Sequence, residues 1–467
     1  MRRRLLPVLF TVSAVVIGTA TPAIAAPAHH PVAHTASRPA GKLEMGFFEQ
    51  WSIYGRGFSL AQADKEGEIA DLTDIDYAFG GAQPAQGAAT DPSPTNPVTC
   101  QSLDSWADWG TPYLADVNGG NPVGANGLAG NFQQLVELKA KYPGLRAIMS
   151  LGGYSGSKFF SDAAATPASR QAFVSSCIDL FIKGNLPGLA PGAGAGVFDG
   201  FDLDWEYPGN NNGAAGNHYS AADIHNFPLL AAEFRRQLDA LKQGHYRLTA
   251  EMGVGLQNAI DLDIPALAKA FDNLVLMDYD FQGPWNAQGP TNFESNLLSS
   301  PFAPNTTAEP RISVESSVQY FEKHGAPANK LVVGIPYYGH GWTGVEPGRD
   351  NGLYQPATGP AASPDITSTG AVLAGLDGGD PSGTTSYYEI VNQPGYTWHT
   401  DPFTGATWLY NPTTKTFWSM QNPQQTYLKG LYINLRGLAG ASVWDLGGDS
   451  NNALTDSLTK GLHPFGR

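Results

Sequence analysis

Cationic side chains are scarce in this chain of 467 residues, where 27 Lys and Arg face 42 Asp and Glu for a formal net charge of −15. That balance argues against nucleic acid or an anionic membrane as partner. Cysteine is nearly absent: only Cys100 and Cys177 occur, and no Cys/His cluster has zinc-ligand spacing. No Gly-Lys-Ser/Thr loop offers a phosphate cradle. Beyond the first residues, no apolar run is long enough to span a membrane. Hydrophobic residues make up 42% of the chain, enough for a sizeable core. The length suits one large α/β barrel with an insertion, or two or three smaller domains.

Residues 1–25 have the pattern of an export signal. Arg2, Arg3 and Arg4 precede a short apolar stretch, and Ala23-Ile24-Ala25 forms a small-x-small cleavage site. The mature chain is therefore expected to start at Ala26 and to be secreted. Residues 26–42, rich in Ala, Pro and His, are expected to form a flexible tail. Export favours one disulfide between Cys100 and Cys177 over two separate buried thiols.

After the tail, short β-branched or aromatic runs alternate with helical patterns. Eight strands are expected, at 44–48, 75–79, 146–150, 201–206, 247–252, 274–279, 331–335 and 440–444. Between them, residues 131–141 have a helical pattern. Thr166-Pro167 caps a helix running towards Lys183, Ser220 and Asp223 resemble a capping box before a helix reaching Lys242, and Asp263 with Pro265 opens another. This order predicts a (β/α)8 TIM barrel rather than an open doubly wound sheet, which usually carries a glycine-rich turn after its first strand. Residues 80–129 look like a long loop. Residues 343–415, with strand-like Y-Y-E-I-V and T-W-L-Y, look like a small α+β insertion after the seventh strand. The barrel is then split into 43–342 and 416–467.

The run F-D-G-F-D-L-D-W-E-Y-P-G at 198–209 alternates with period two. Asp202, Asp204 and Glu206 share one face of a strand, and Phe201, Leu203 and Trp205 share the other. In a barrel the acids point inward, with Glu206 highest, at the mouth where catalytic residues gather. Neighbouring carboxylates raise one another's pKa, which suits a general acid held protonated near neutral pH. A cation-binding acidic lining is the alternative, but calcium wants more oxygen ligands than one strand supplies.

D-G-F-D-L-D-W-E at 199–206 resembles the signature of family 18 glycoside hydrolases, the chitinases. Ser150-Leu151-Gly152-Gly153 resembles the family's S-x-G-G, Met277-Asp278-Tyr279-Asp280 its M-x-Y-D, and Trp444 its tryptophan at the eighth strand. Residues 343–415 resemble the chitinase insertion domain. The resemblance implies retaining hydrolysis of β-1,4-linked N-acetylglucosamine polymers, with the substrate's acetamido group as nucleophile. Glu206 would be the acid and base, and Asp204 would hold the acetamido N–H. Asp202 would share a proton with Asp204, and Tyr279 would orient the acetamido oxygen beside Asp280. No metal or organic cofactor is implied, the partner is chitin or a chitooligosaccharide, and a monomer is expected. Trp444 would floor the distorted sugar and Trp285 would sit on the product side. Met277, Tyr207, Phe79, Trp51 and Tyr154 would complete the subsites, with Trp106 and Trp109 as further aromatic candidates.

Four positions depart from the pattern: Tyr154 where many relatives have tryptophan, His340 where arginine is common, Asp278 in a slot usually small, and Phe47 for a common tyrosine. An endo-N-acetylglucosaminidase acting on N-glycans is a second enzymatic reading, but those relatives usually lack the insertion. A non-catalytic chitin-binding lectin typically loses members of the acidic row, and here the row is complete.

Overall fold

The computed structural model describes residues 41–54, 57–87, 89–304, 311–362 and 383–466. The expected export signal and most of the tail lie outside these residues. In chain order the strands are β1 (Leu43–Glu49), β2 (Asp74–Pro84), β3 (Val98–Ser102), β4 (Arg146–Gly152), β5 (Gly200–Asp204), β6 (Arg247–Met252), β7 (Asn273–Leu276) and β8 (Leu331–Pro336). Then come β9 (Tyr338–Thr343), β10 (Gly359–Pro360), β11 (Thr384–Ser386), β12 (Thr397–Thr400), β13 (Thr407–Asn411), β14 (Thr416–Met420) and β15 (Gly440–Trp444).

The sheet order β1-β15-β8-β7-β6-β5-β4-β2 closes on itself through a parallel β1–β2 pairing, giving the eight-stranded parallel barrel. Its strands are buried on both faces, as parallel strands beneath helices must be. Outward-facing Phe201 packs on Phe234 of helix Asp223–Ala240 with ring centroids 5.3 Å apart. Trp205 stacks on Phe160 at 5.5 Å. Inside, Met45, Val275 and Val332 form a small apolar plug.

Several boundaries differ from expectation. Residues 80–129 are not all loop: β2 runs on to Pro84, and β3 pairs antiparallel with that extension, Ala82 facing Cys100. The fourth barrel strand in sequence, β5, stops at Asp204, so Glu206 lies beyond it. Gly152 ends β4 at φ +117°, where a Cβ would meet the Asp204 carbonyl at 2.1 Å, and pairing with β5 goes no further. Strand β7 ends at Leu276, before Met277 to Tyr279, because Asp278 N–H turns back to the Leu276 carbonyl. The run Y-Y-E-I-V forms a helical turn, Tyr387–Ile390, opened by a Ser386/Glu389 capping box. Helix Pro167–Cys177 starts at the Thr166 cap but continues as a π-turn, Ile178–Ile182.

Strands β9 to β14 form a second, six-stranded sheet. It starts at Tyr338 and ends at Met420, so the bounds 343 and 415 both fall inside it, the latter within the β13–β14 hairpin.

Cys100 on β3 is bridged to Cys177 at the end of helix Pro167–Cys177, with Cα atoms 4.8 Å apart and a sequence separation of 77. The bridge ties the β3 extension to the helical ring. Replacing both cysteines by alanine is expected to cost about 2–4 kcal/mol of stability. Denaturant titration checks this, and a midpoint identical to the parent would show that the bridge contributes nothing.

Candidate active site

Strand register decides what the barrel lumen contains. Asp202 lies level with Ser150 on β4 and Thr249 on β6. Asp204 and Glu251 are the next inward positions above that level. Below it lie Asp76 on β2 and, at the floor, Arg146, Arg247 and Asp74. The lumen is thus a column of charge, cationic at the bottom and acidic from the middle to the mouth.

The floor is well paired. Arg146 donates to both oxygens of Asp74 at 2.6 and 2.9 Å. Burial opposes ionisation of Asp74, yet Arg247 and Arg146 hold its carboxyl below the usual range. Higher up, burial is the largest influence on each acid. Asp202 is pushed up to about 6 by burial, although hydroxyl donors from Thr249 and Ser150, each at 2.8 Å, oppose the rise. Burial, then Glu206 and Asp202, lifts Asp204 well above its ordinary value. Asp76 is raised by burial and then by Asp202. Burial and the neighbouring acids raise Glu251 in the same way.

Glu206 stands above the column in a half-buried position. Its N–H donates to Ser157 Oγ at 3.0 Å, its carbonyl accepts from Asn217 Nδ2 at 3.0 Å, and the Glu206–Tyr207 peptide is cis. The same Ser157 hydroxyl donates to the Asp204 carbonyl, so one side chain joins the strand end to the acid above it. Tyr207 and Tyr279 are kept protonated, first by burial and then by adjacent carboxylates, Glu206 for Tyr207 and Glu251 for Tyr279. Asp280, at φ +56°, accepts from Tyr338 at 2.6 Å and lies 2.7 Å from His340 Nε2. His340 therefore occupies the carboxylate beside the cleft, with its ring edge-on to Trp285 at 5.1 Å.

These groups open into a cleft of about 770 Å³. Glu206, Asp204, Tyr207, Tyr279, Asp280, Met277, Phe79, Trp51, Tyr154, Trp285 and Trp444 all line it. Asp202 does not line the cleft. Trp444 stacks on Phe79 at 5.7 Å and rests on Phe47 at 4.9 Å, so Phe47 is part of the tryptophan's support. Trp285 is 63% exposed and Tyr154 44%, leaving both rings free to meet a ligand.

Two aromatic candidates lie elsewhere. Trp109 is buried, donates to the Pro187 carbonyl and packs on Phe132. Trp106 is exposed beside Tyr113, and neither lines the cleft. Asp278 points away from the lumen, accepting from Ser317, with Lys429 nearby. Among the described residues one donor set, Asp280, Glu294 and His340, brings three ligand atoms within 4.8 Å of one another. A cation there would compete with the hydrogen bonds to Asp280 and with the charge of Lys429 beside Glu294.

Sequence reasoning missed Asp76, Glu251 and Glu294. The first two were visible in the same period-two alternation: I-D-Y-A-F puts Asp76 inward, and R-L-T-A-E-M puts Thr249 and Glu251 on one face. Glu294 had no such signal.

The sequence matches the family model for glycosyl hydrolases family 18 over residues 44–449. It is 32% identical to Chitinase A1 of Niallia circulans over 443 residues, 90% of this chain and 58% of that protein. Against Chitinase C of Streptomyces lividans it is 32% identical over 420 residues, 88% of this chain and 58% of that protein. The chain thus spans under two thirds of the length of these curated relatives. Among solved structures, the catalytic domain of psychrophilic chitinase B from Arthrobacter TAD20 superposes with a TM-score of 0.79 at 34% identity, covering 91% of this chain and 96% of that one. ChiA74 of Bacillus thuringiensis gives 0.74 at 29% identity, covering 91% and 70%. The chain belongs to glycosyl hydrolase family 18.

Proposed function

We propose that this chain hydrolyses β-1,4 linkages in chitin or chitooligosaccharides with retention of configuration, outside the cell and as a monomer. The observation that carries this reading is the position of Glu206 above a buried acidic column, where it opens into a cleft walled by Trp444, Phe79, Trp285 and Tyr154. Flat aromatic faces suit the C–H faces of sugar rings. The relatives with chitinase in their names support the substrate class. Export rests on the pattern in residues 1–25. Among the described residues no helix is long and apolar enough to cross a membrane.

In this mechanism Glu206 gives its proton to the glycosidic oxygen as the C1–O bond breaks. The acetamido carbonyl oxygen of the same sugar bonds to C1 and forms an oxazolinium ion. Asp204 accepts the acetamido N–H and Tyr279 donates to the acetamido oxygen, fixing the nucleophile for attack. Asp202, held by Ser150 and Thr249, anchors the acid below. Water then attacks C1, opens the ring and returns a proton to Glu206. General acid catalysis contributes about 10²–10⁴-fold, so most of the barrier reduction comes from positioning and from the charge column.

Two outcomes test this. Glu206→Gln is expected to lower kcat on a chitin hexamer by about 10²–10⁴-fold while oligomer binding persists. Full activity in that variant would refute the assignment of the acid. A fully deacetylated oligomer has no internal nucleophile and is expected not to be cleaved. Rapid release of reducing ends from it, followed by a colorimetric assay, would contradict the substrate-assisted route.

A further inference from the structure

We propose that Glu251 is a positioning residue, whose carboxyl shares a proton with Asp204 Oδ1 across the β5–β6 seam and so holds Asp204 facing the cleft. This rests on the proposed function, because it assigns Asp204 a partner in that reaction.

Geometry singles out the pair. Leu203 pairs with Ala250, so Asp204 and Glu251 are the next residues up on adjacent strands. The hydroxyl of Thr249 reaches Asp202, which fixes the face of β6 that looks into the lumen, and Glu251 is two residues further along that face. Glu251 is 2% exposed, and neither of its oxygens has a hydrogen-bond partner. Asp204 Oδ1 is likewise buried without a partner. Asp202 beneath already accepts at both oxygens, from Ser150 at one and Thr249 at the other, whereas the Glu251 oxygens accept from none. A single proton between the two buried carboxyls pairs Asp204 Oδ1 with one of the two Glu251 oxygens.

The surroundings favour a protonated Glu251. Asp202 and Asp204 act on it from β5, Asp76 from β2 and Glu206 from above. Tyr279 faces it from beyond β7 and carries no charge to offset. On its own strand, Arg247 lies two positions below Thr249, at the floor with Asp74. Burial is the largest influence, and all four acids act in the same direction. A neutral Glu251 donates to Asp204 and favours its ionised form, which is the form that accepts the acetamido N–H.

The sign of the pH effect follows. Removing a donor to the ionised form raises the pKa of Asp204, so activity is lost at a higher pH on the acid side. Glu251→Met, close in shape but without a donor, is expected to lower kcat on a chitooligosaccharide about tenfold. Its KM should stay within about twofold, and the acid limb of its pH profile should move up by about one unit. Glu251→Gln keeps a donor and is expected to recover most of the loss. A Glu251→Met profile that overlays the wild type overturns the inference, and so does an equal loss in both variants with unmoved limbs. An infrared difference spectrum, wild type minus Glu251→Gln at neutral pH, gives a readout independent of turnover and of Glu251→Met folding. It should contain a protonated-carboxyl C=O band, and its absence also overturns the inference. Wild type that cleaves no chitooligosaccharide would defeat the proposed function instead, while the infrared band still reports on Glu251.

Discussion

Crowding of carboxyl groups in one low-dielectric lumen is the constraint on which the site depends. Asp76, Asp202, Asp204 and Glu251 are all buried, with Glu206 at the rim above them. Successive inward positions on a strand are about 6–7 Å apart. Two charges at that distance repel by about 2–3 kcal/mol at an effective dielectric near 20. The acids therefore do not all ionise together, and the protons they retain belong to the group. The two arginines that would relieve this sit at the floor and are taken up by Asp74. Cations at the bottom and crowded carboxyls at the top give the column its polarity.

The rest of the fold holds that column in place. Hydroxyls from the strands on either side of β5 fix Asp202, and Ser157 ties the end of β5 to Glu206. Gly152 allows the close approach of β4 that no side chain would permit. The aromatic floor is layered in the same way, Trp444 resting on Phe47 and Phe79, so that a ring facing the cleft is backed by core. At the side, His340 and Tyr338 anchor Asp280 from the second sheet, so the cleft wall is completed by residues of β9.

Much of this was legible in the chain. All eight barrel strands stand where β-branched and aromatic runs placed them, because a parallel strand buried on both faces needs a nearly continuous apolar run. The alternation in F-D-L-D-W-E correctly separated the lumen face from the helix face through Asp204. It overran at Glu206, since a strand ends where its neighbour stops pairing, and Gly152 on a different strand decides that. The same limit explains Y-Y-E-I-V, whose β propensity yields to a capping box at Ser386.

The acids of each strand, their spacing and the aromatics that flank them are properties of the sequence, because alternation along a strand is local. Which acids face one another is not local. Asp204 and Glu251 are neighbours only through the register in which β5 pairs with β6, and Asp280 meets His340 only because the chain folds β9 back over the rim. Register between distant segments is set by the packing of the whole core, so those pairings became readable only in three dimensions.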